Sequence, residues 1–319
     1  MQQLLGLTGP IFGLIAIGWA AVRFGAFDRA HLPALARFVI AFCLPALLWQ
    51  VLSQRHPAEV ADGRFLAAYA IGSLVALAAG LLWARSQGQP RDRAAMTGMG
   101  FSCANTAFIG HPLALQVVGP EASVAFALVL LVENFLMIPL CLALADSARP
   151  GPDGRPQPFG RAFGQAVWDL RKNPIVLGVC AGLVTGAIGL GLPGTLGRVV
   201  ELFGAASAAA SLFFIGGSLA GLRLGGQVGQ VGAVAVGKLL VHPLAVAAAL
   251  WLCGPVDPAL QWAGLVMAAA PMLGIYPVLG QRYGLQQLNA ACLLGATIAA
   301  FVTLTAWLGG LHALGPAWR

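Results

Sequence analysis

The chain has 319 residues, of which 59% are hydrophobic and only 9% are charged, with 18 basic and 11 acidic side chains. A soluble globular protein carries about 25% charged residues, so these few charges cannot coat the surface that a chain of this length exposes to water. The composition excludes an ordinary soluble fold and predicts an all-α integral membrane protein. The net charge of +7 does not indicate nucleic-acid binding, because membrane proteins place basic residues in the loops on one side of the bilayer.

Ten apolar runs follow one another along the chain. A helix that crosses the hydrocarbon needs about 20 mostly apolar residues. The runs are continuously apolar and do not alternate with period two, which favours helices over a barrel. The predicted spans lie at about residues 4–22, 32–52, 65–84, 94–119, 122–144, 174–192, 199–222, 229–253, 260–281 and 286–311.

The polar segment from Ala145 to Asn173 is the one long interruption in this series. It divides the chain into a first five-helix repeat at residues 1–145, a linker at 146–173 and a second five-helix repeat at 174–319. Because five is odd, two halves that share a fold must be inserted upside down relative to one another. A P-x-x-x-Q-x-x-G pattern occurs at residues 112–119 and again at 277–284, near the end of the fourth span of each half, which supports such an inverted repeat.

The basic residues predict the orientation in the membrane. With the N-terminus outside, thirteen Lys and Arg residues fall on the cytoplasmic side, four fall outside, and Lys238 lies within a span. Lys and Arg are enriched in cytoplasmic loops. We therefore expect both termini to lie outside, the linker to be cytoplasmic, and the protein to reside in a bacterial inner membrane.

Helix-breaking residues concentrate in spans four and nine, and polar side chains accompany them. The residues concerned are Asn105, Thr106, His111 and Pro112 in span four, and Pro271, Gly274, Tyr276 and Pro277 in span nine. Broken helices at membrane depth are tolerated where they are buried in protein or line a wet cavity, and the N-terminus of a half-helix attracts anions. These eight residues are therefore predicted to form a substrate site near the midplane. The alternative is a pair of proline kinks that only shape packing.

Two ionisable residues lie near mid-depth, where an unpaired charge costs several kcal/mol. Glu133, with its neighbour Asn134, is predicted to couple transport to a proton or another cation; the alternative is a structural ion pair or an interhelical hydrogen bond. Lys238 is predicted to bind a substrate anion, unless its ammonium extends to the cytoplasmic face. The six cysteines have no metal-ligand spacing, so neither a metal nor a cofactor is expected.

Several short stretches together resemble one known family. They are LPALL at 44–48, NTAFIGHPL at 105–113, NP at 173–174, GGSL at 216–219, GKL at 237–239 and AAP at 269–271. Over nearly the whole chain they are similar to the auxin efflux carrier family of bacterial secondary transporters. The chain differs from the usual residues of that family at Ala107, His111 and Ala209.

The resemblance implies a fold like that of the bile-acid sodium symporters. Spans one, two, six and seven would form a scaffold, and spans three to five and eight to ten a transport domain in which the two broken helices cross. Asn105, Pro112 and Pro271 would lie at the crossover, and Lys238 would be the lysine of span eight. Family members are linked to organic anions such as malonate, other dicarboxylates and, in plants, indole-3-acetate. A homodimer through the scaffold is a further expectation.

Together these observations predict a carrier of a small organic anion, a mono- or dicarboxylate, that works by alternating access and is energised by a proton or by the substrate gradient. The alternatives are a sodium-coupled symporter, a channel and a membrane sensor. An enzyme is disfavoured because the spans contain no HExxH, GxSxG or paired-aspartate pattern. The expected partners are the organic anion, a proton or sodium, and the lipid bilayer.

Overall fold

The computed structural model describes residues 2–149, 158–192, 194–221 and 227–314. Within these ranges the chain is helical, apart from turns, short extended segments and one isolated pair of bridged residues. Residues 150–157 of the predicted linker lie outside the described residues. So do Arg155, Arg223 and Arg319, three of the basic residues on which the predicted orientation depends.

The α-helices follow one another along both halves of the chain. Those before the linker are α1 (Gln2–Arg23), α2 (Leu32–Phe38), α3 (Leu44–Ser53), α4 (Pro57–Val60), α5 (Gly63–Ser86), α6 (Arg91–Ser102), α7 (His111–Val118), α8 (Ala122–Val132) and α9 (Ile138–Asp146). Those that follow are α10 (Phe159–Asp169), α11 (Pro174–Ala187), α12 (Gly194–Leu219), α13 (Val228–Val236), α14 (His242–Leu252), α15 (Pro258–Ala269), α16 (Tyr276–Gln281) and α17 (Gln286–Leu314).

Among the described residues, six continuous helical segments are long and apolar enough to cross a membrane. They are Arg29–Ser53, Gly63–Ser86, Ala122–Asp146, Gly194–Leu219, Val228–Leu252 and Gln286–Gly310, and they lie in predicted spans two, three, five, seven, eight and ten. The other four predicted spans contain shorter apolar helices, namely Gly9–Arg23, Thr106–Val118, Pro174–Ala187 and Pro258–Ala269. The prediction of an all-helical membrane protein is confirmed, whereas the count of ten spans and the inverted repeat stay predictions.

Prolines determine where four of the spans widen. Each of the π-helical turns Val39–Cys43, Thr106–Gly110, Glu133–Met137 and Gly237–Val241 ends two residues before a proline. These prolines are Pro45, Pro112, Pro139 and Pro243. Proline lacks a backbone N–H, and its ring clashes with the carbonyl four residues earlier. A wider turn relieves this conflict without ending the helix. Three of the turns contain Thr106, Glu133 or Lys238, so the same prolines also position the polar side chains.

Glycines let some of the helices touch at the backbone. A Cβ added to Gly178 of α11 would lie 2.6 Å from Pro45 Cα at the start of α3, and one added to Gly216 of α12 would meet the Ile15 carbonyl of α1. Small residues permit such close approach between membrane helices. Helices α1, α3, α11 and α12 pack mainly on one another, while α5 packs on α6 and α14, and α15 packs on α7 and α8. The division into a scaffold and a transport domain stays a prediction.

The charged side chains gather at the ends of the helices. At one end Arg55, beyond α3, forms an ion pair of 2.5 Å with Glu121, in the turn between α7 and α8. A cavity of about 830 Å³ opens at this end beside both residues. At the opposite end Arg149, beyond α9, pairs at 2.9 Å with Asp92 in the first turn of α6. The interior between these two ends contains the predicted site.

Candidate functional site

The two predicted helix breaks cross one another. Helix α6 ends at Ser102 and α15 ends at Ala269, and the next residue of each chain segment is extended. The two extended segments run antiparallel, with Ala104 bridged to Met272, and the Asn105 N–H donates to the Pro271 carbonyl at 2.7 Å. The backbone at both breaks thus satisfies part of its own hydrogen-bonding requirement, which membrane burial demands.

Asn105 caps the second half of span four. Its Oδ1 accepts from the Phe108 N–H at 3.3 Å, as is typical of an N-cap asparagine. Its Nδ2 is buried and has no hydrogen-bond partner. A Cβ added to Gly274 would lie 3.5 Å from this Nδ2 and 3.3 Å from Ile215 Cδ1 of α12. Gly274 therefore lies beside the amide donor, and a side chain at this position would contact it.

The Glu133 carboxylate is directed at the break in span four. Its Oε1 accepts from the Ala104 N–H at 3.0 Å and from the Thr106 hydroxyl at 2.9 Å. Glu133 and Thr106 are each the first residue of a π-helical turn. The positive end of a helix dipole and its free N–H groups favour an anion. The protein's own carboxylate therefore occupies two donors at the start of the second half of span four.

Lys238 is directed at the break in span nine. It is fully buried, and its Nζ donates to the Ala268 carbonyl at 2.6 Å and contacts His242 Nδ1 at 3.0 Å. An ammonium group only donates, so Nδ1 accepts, and the proton on Nε2 is donated to Ser73 Oγ at 3.0 Å. The ammonium points into the protein, where it lies beside the negative C-terminal end of α15.

The two buried charges do not touch each other. They are close enough to interact electrostatically, but the ion pairs among the described residues do not join Glu133 to Lys238. The Glu133 carboxylate lies at the positive N-terminal end of the helical segment that leads into α7. The Lys238 ammonium lies at the negative C-terminal end of α15. The two broken helices therefore help to stabilise both buried charges.

The other residues of the predicted site either face away from the crossover or have structural contacts. His111 Nε2 lies 3.0 Å from Ser123 Oγ, and its ring stacks on Phe126 at 4.4 Å, so it faces α8. The Tyr276 hydroxyl donates to the Met96 carbonyl at 2.8 Å, which ties α16 to α6. Pro112 and Pro277 occupy the first turns of α7 and α16.

Asn134 also turns away from the Glu133 carboxylate. Its Nδ2 donates to the Leu130 carbonyl one turn earlier at 2.9 Å, and its Oδ1 lies 3.5 Å from Asn173 Nδ2 at the start of α11. The structure thus brings Glu133 to the crossover but directs its neighbour towards α11. Because adjacent residues of a helix lie on different faces, Asn134 does not share the contacts of the Glu133 carboxylate, and its predicted part in coupling stays a prediction.

Sequence reasoning missed Tyr69. This residue of α5 is fully buried, and its hydroxyl has no hydrogen-bond partner. The hydroxyl faces Thr106, Glu133 and Cys103, and the ring meets the His242 ring edge-on at 5.9 Å. The available signal was weak: Tyr69 and Ser73 are two polar residues four positions apart in span three, and therefore on one helix face.

Most of the chain is similar in sequence to known membrane transport proteins. A family model described as "Membrane transport protein" matches residues 7–308. The chain is also 27% identical over 317 residues to a protein named "Putative malonate transporter" from Rhizobium meliloti (strain 1021), and the match covers 97% of this chain and 96% of the relative.

Proposed function

We propose that this chain carries a small dicarboxylate such as malonate by alternating access. The chain belongs to the membrane transport protein family of auxin efflux carriers, and it is a transporter and not an enzyme. The substrate class is suggested by the name of the relative that matches almost the full length. The crossover of the two broken helices is the proposed substrate site.

The observation that carries this proposal is the pair of unsatisfied polar groups at the crossover. Asn105 Nδ2 and the Tyr69 hydroxyl are both buried without a partner, and a buried donor without an acceptor costs about 1–3 kcal/mol. An ionised carboxylate offers only acceptor atoms, which are what both of these donors lack. The nearby Lys238 ammonium adds the positive charge that an anion requires.

Glu133 is the proposed coupling residue. When ionised, it retains the Ala104 N–H and the Thr106 hydroxyl and repels an arriving anion. When protonated, it accepts these bonds more weakly, because a hydrogen bond to an ionised group is roughly twice as strong as one between neutral groups. A proton would thus enter with the anion. The other titratable groups that face Glu133 are Tyr69, Cys103 and Lys238.

The proposal includes the arrangement of the spans, their orientation in the membrane and the oligomeric state. Ten spans in two inverted repeats would divide into a fixed scaffold, spans one, two, six and seven, and a moving domain that carries the crossover from one side to the other. Carriers built from inverted repeats bind substrate near the midplane between the repeats. Both termini would lie outside a bacterial inner membrane, and the scaffold would form the contact of a homodimer.

Uptake of radiolabelled malonate into proteoliposomes tests the proposal. We expect uptake to rise when the outside is made acidic and to be indifferent to a sodium gradient. Asn105→Ala and Lys238→Met should each abolish most of the uptake. Gln261→Ala is the matched control, because it removes an amide from the first turn of α15, where Gln261 bonds the Val256 carbonyl.

Glu133→Gln separates substrate binding from coupling. Because Gln keeps an acceptor for Ala104 and Thr106 but cannot gain or lose the proton, we expect malonate exchange to persist while the dependence on the pH gradient disappears. Sodium-driven uptake would instead support the sodium symporter. Ionic currents far above carrier turnover would support a channel, and binding without flux would support a sensor. Unchanged uptake in both Asn105→Ala and Lys238→Met would refute the assigned site.

A further inference from the structure

Helix α10 is amphipathic and leads into an apolar helix. Ala162, Phe163 and Val167 lie on the face that packs towards α9, whereas Arg161 and Gln165 lie on the exposed face. Beyond a single 3₁₀ turn, the mostly apolar α11 begins at Pro174. An amphipathic helix that precedes an apolar one is typical of the boundary between lipid headgroups and hydrocarbon.

A groove of about 390 Å³ runs along this boundary. Its apolar lining is formed by Phe135, Phe163, Val167, Leu170 and Val176. Phe135 belongs to the π-helical turn of Glu133 and Val176 to α11, so three separate segments of the chain form the walls. An apolar groove at this depth fits a hydrocarbon chain better than it fits a polar solute.

One cation lies at the rim of the groove. The Arg171 guanidinium lines it and lies 4.0 Å from the centre of the exposed Trp168 ring. Lys172 is the next residue, and the ion pairs among the described residues include neither Arg171 nor Lys172. The nearby Asp169 accepts from Gln165 at 3.1 Å. The two basic residues outnumber the one carboxylate nearby, so this part of the chain carries a net positive charge, and tryptophan is enriched at this membrane level.

We propose that this groove is a binding site for one anionic phospholipid. The acyl chain lies on the apolar lining, and the phosphate lies at Arg171 and Lys172. Each basic residue near an anionic lipid surface contributes the equivalent of about a fivefold preference. A zwitterionic lipid offers the same chain, but its headgroup amine offsets the phosphate charge, so it gains little from the two cations.

The position of the groove links it to transport, if the proposed function holds. Phe135 lines the groove and lies two residues after Glu133 on the same turn. Asn134, between them in sequence, contacts Asn173 at the start of α11. A bound lipid would touch α11 on one side and the turn of Glu133 on the other. We therefore expect anionic lipid to alter the rate of malonate uptake without altering the substrate affinity.

Quenching of Trp168 fluorescence by brominated lipids measures occupancy without reference to transport. The full chain is placed in nanodiscs that contain a small fraction of brominated phosphatidylglycerol or brominated phosphatidylcholine, and the signal of the Trp168→Phe variant is subtracted. We expect the anionic lipid to compete for the groove about tenfold or more better than the zwitterionic one. Equal quenching by the two lipids would overturn the proposal.

Two charge variants locate the headgroup. Arg171→Gln should abolish most of the preference for the anionic lipid. Arg161→Gln removes the same charge from the exposed face of the preceding helix α10, outside the groove, and should leave the preference intact. An equal loss in both variants would mean diffuse attraction to the bilayer and would refute the site. Because quenching is independent of uptake, a chain that binds the lipid but does not carry malonate would refute the proposed function alone.

Discussion

Replacing Thr106 with valine removes the hydroxyl that bonds Glu133 and keeps the branched shape of the side chain. Thr106 is only 1% exposed, and its hydroxyl donates to Glu133 Oε1 at 2.9 Å. The Ala104 N–H, at 3.0 Å, is the other donor to the same oxygen. The substitution thus removes one of the two hydrogen bonds that hold the carboxylate at the crossover, and it adds only the difference in size between a hydroxyl and a methyl group.

The expected cost follows from the charge of the acceptor. A hydrogen bond to an ionised group contributes about 1.5–3 kcal/mol, and one between neutral groups contributes about 1 kcal/mol. With Glu133 ionised, Thr106→Val should lower the free energy of unfolding by about 2 kcal/mol. In a Glu133→Gln background the acceptor is neutral, so the same substitution should cost about half as much.

A matched substitution elsewhere gives the reference value. Thr297 on α17 is 4% exposed, and its hydroxyl donates to the Leu293 carbonyl of its own helix at 2.7 Å. Its acceptor is a neutral carbonyl within the same helix, so Thr297→Val should cost about 1 kcal/mol or less. Unfolding by SDS titration in mixed micelles, followed by circular dichroism, measures the free energy for each variant and for the double variant.

Two results would contradict a hydrogen bond between Thr106 and an ionised Glu133. If Thr106→Val costs no more than Thr297→Val, the hydroxyl does not bond an ionised carboxylate, and the electrostatic account of the crossover is wrong. If the cost is the same in the Glu133→Gln background, the two side chains are not energetically coupled. In proteoliposomes we also expect Thr106→Val to weaken the dependence of uptake on the pH gradient, because the carboxylate is then less firmly held.

Three further predictions concern contacts around the site and at its ends. Gly274→Ala should lower malonate uptake roughly fivefold, the equivalent of one hydrogen bond, because the new methyl covers the Asn105 amide; Gly232→Ala, with nothing within 4 Å of the added Cβ, should leave uptake unchanged. A double-mutant cycle on Arg55 and Glu121 should give a coupling below about 1 kcal/mol, since both side chains are partly exposed, and a much larger value would contradict that exposure. Gly178→Ala should lower the free energy of unfolding by about 1–3 kcal/mol, because the methyl would strike backbone that cannot move aside; a neutral effect in SDS titration would contradict this packing.

The placement of the buried charges suggests how a membrane interior tolerates them. Glu133 and Lys238 lie at helix termini of opposite polarity, and neither is paired directly with the other. Backbone N–H and C=O groups that the breaks leave free lower the free-energy cost of burying these two charges. A continuous helix in place of one break would leave one of the two charges without these backbone partners. We therefore expect each buried charge to be stable only together with its break.

The sequence determines the positions of the breaks because the causes are local. A proline acts on the turn before it, and a π-helical turn lies within the six residues before Pro45, Pro112, Pro139 and Pro243. Pro10, inside α1, is not preceded by such a turn. The composition likewise determines that the chain is a helical membrane protein, because too few charges remain to solvate its surface.

Only the tertiary structure decides which polar side chains meet. Glu133 reaches Ala104 and Thr106 across some thirty residues of chain, while His111, closer in sequence to the break, turns to Ser123. Such choices depend on the rotation of each helix about its axis, which long-range packing sets and no local pattern encodes. For the same reason Tyr69, on a span with no break at all, lies with its free hydroxyl at the crossover.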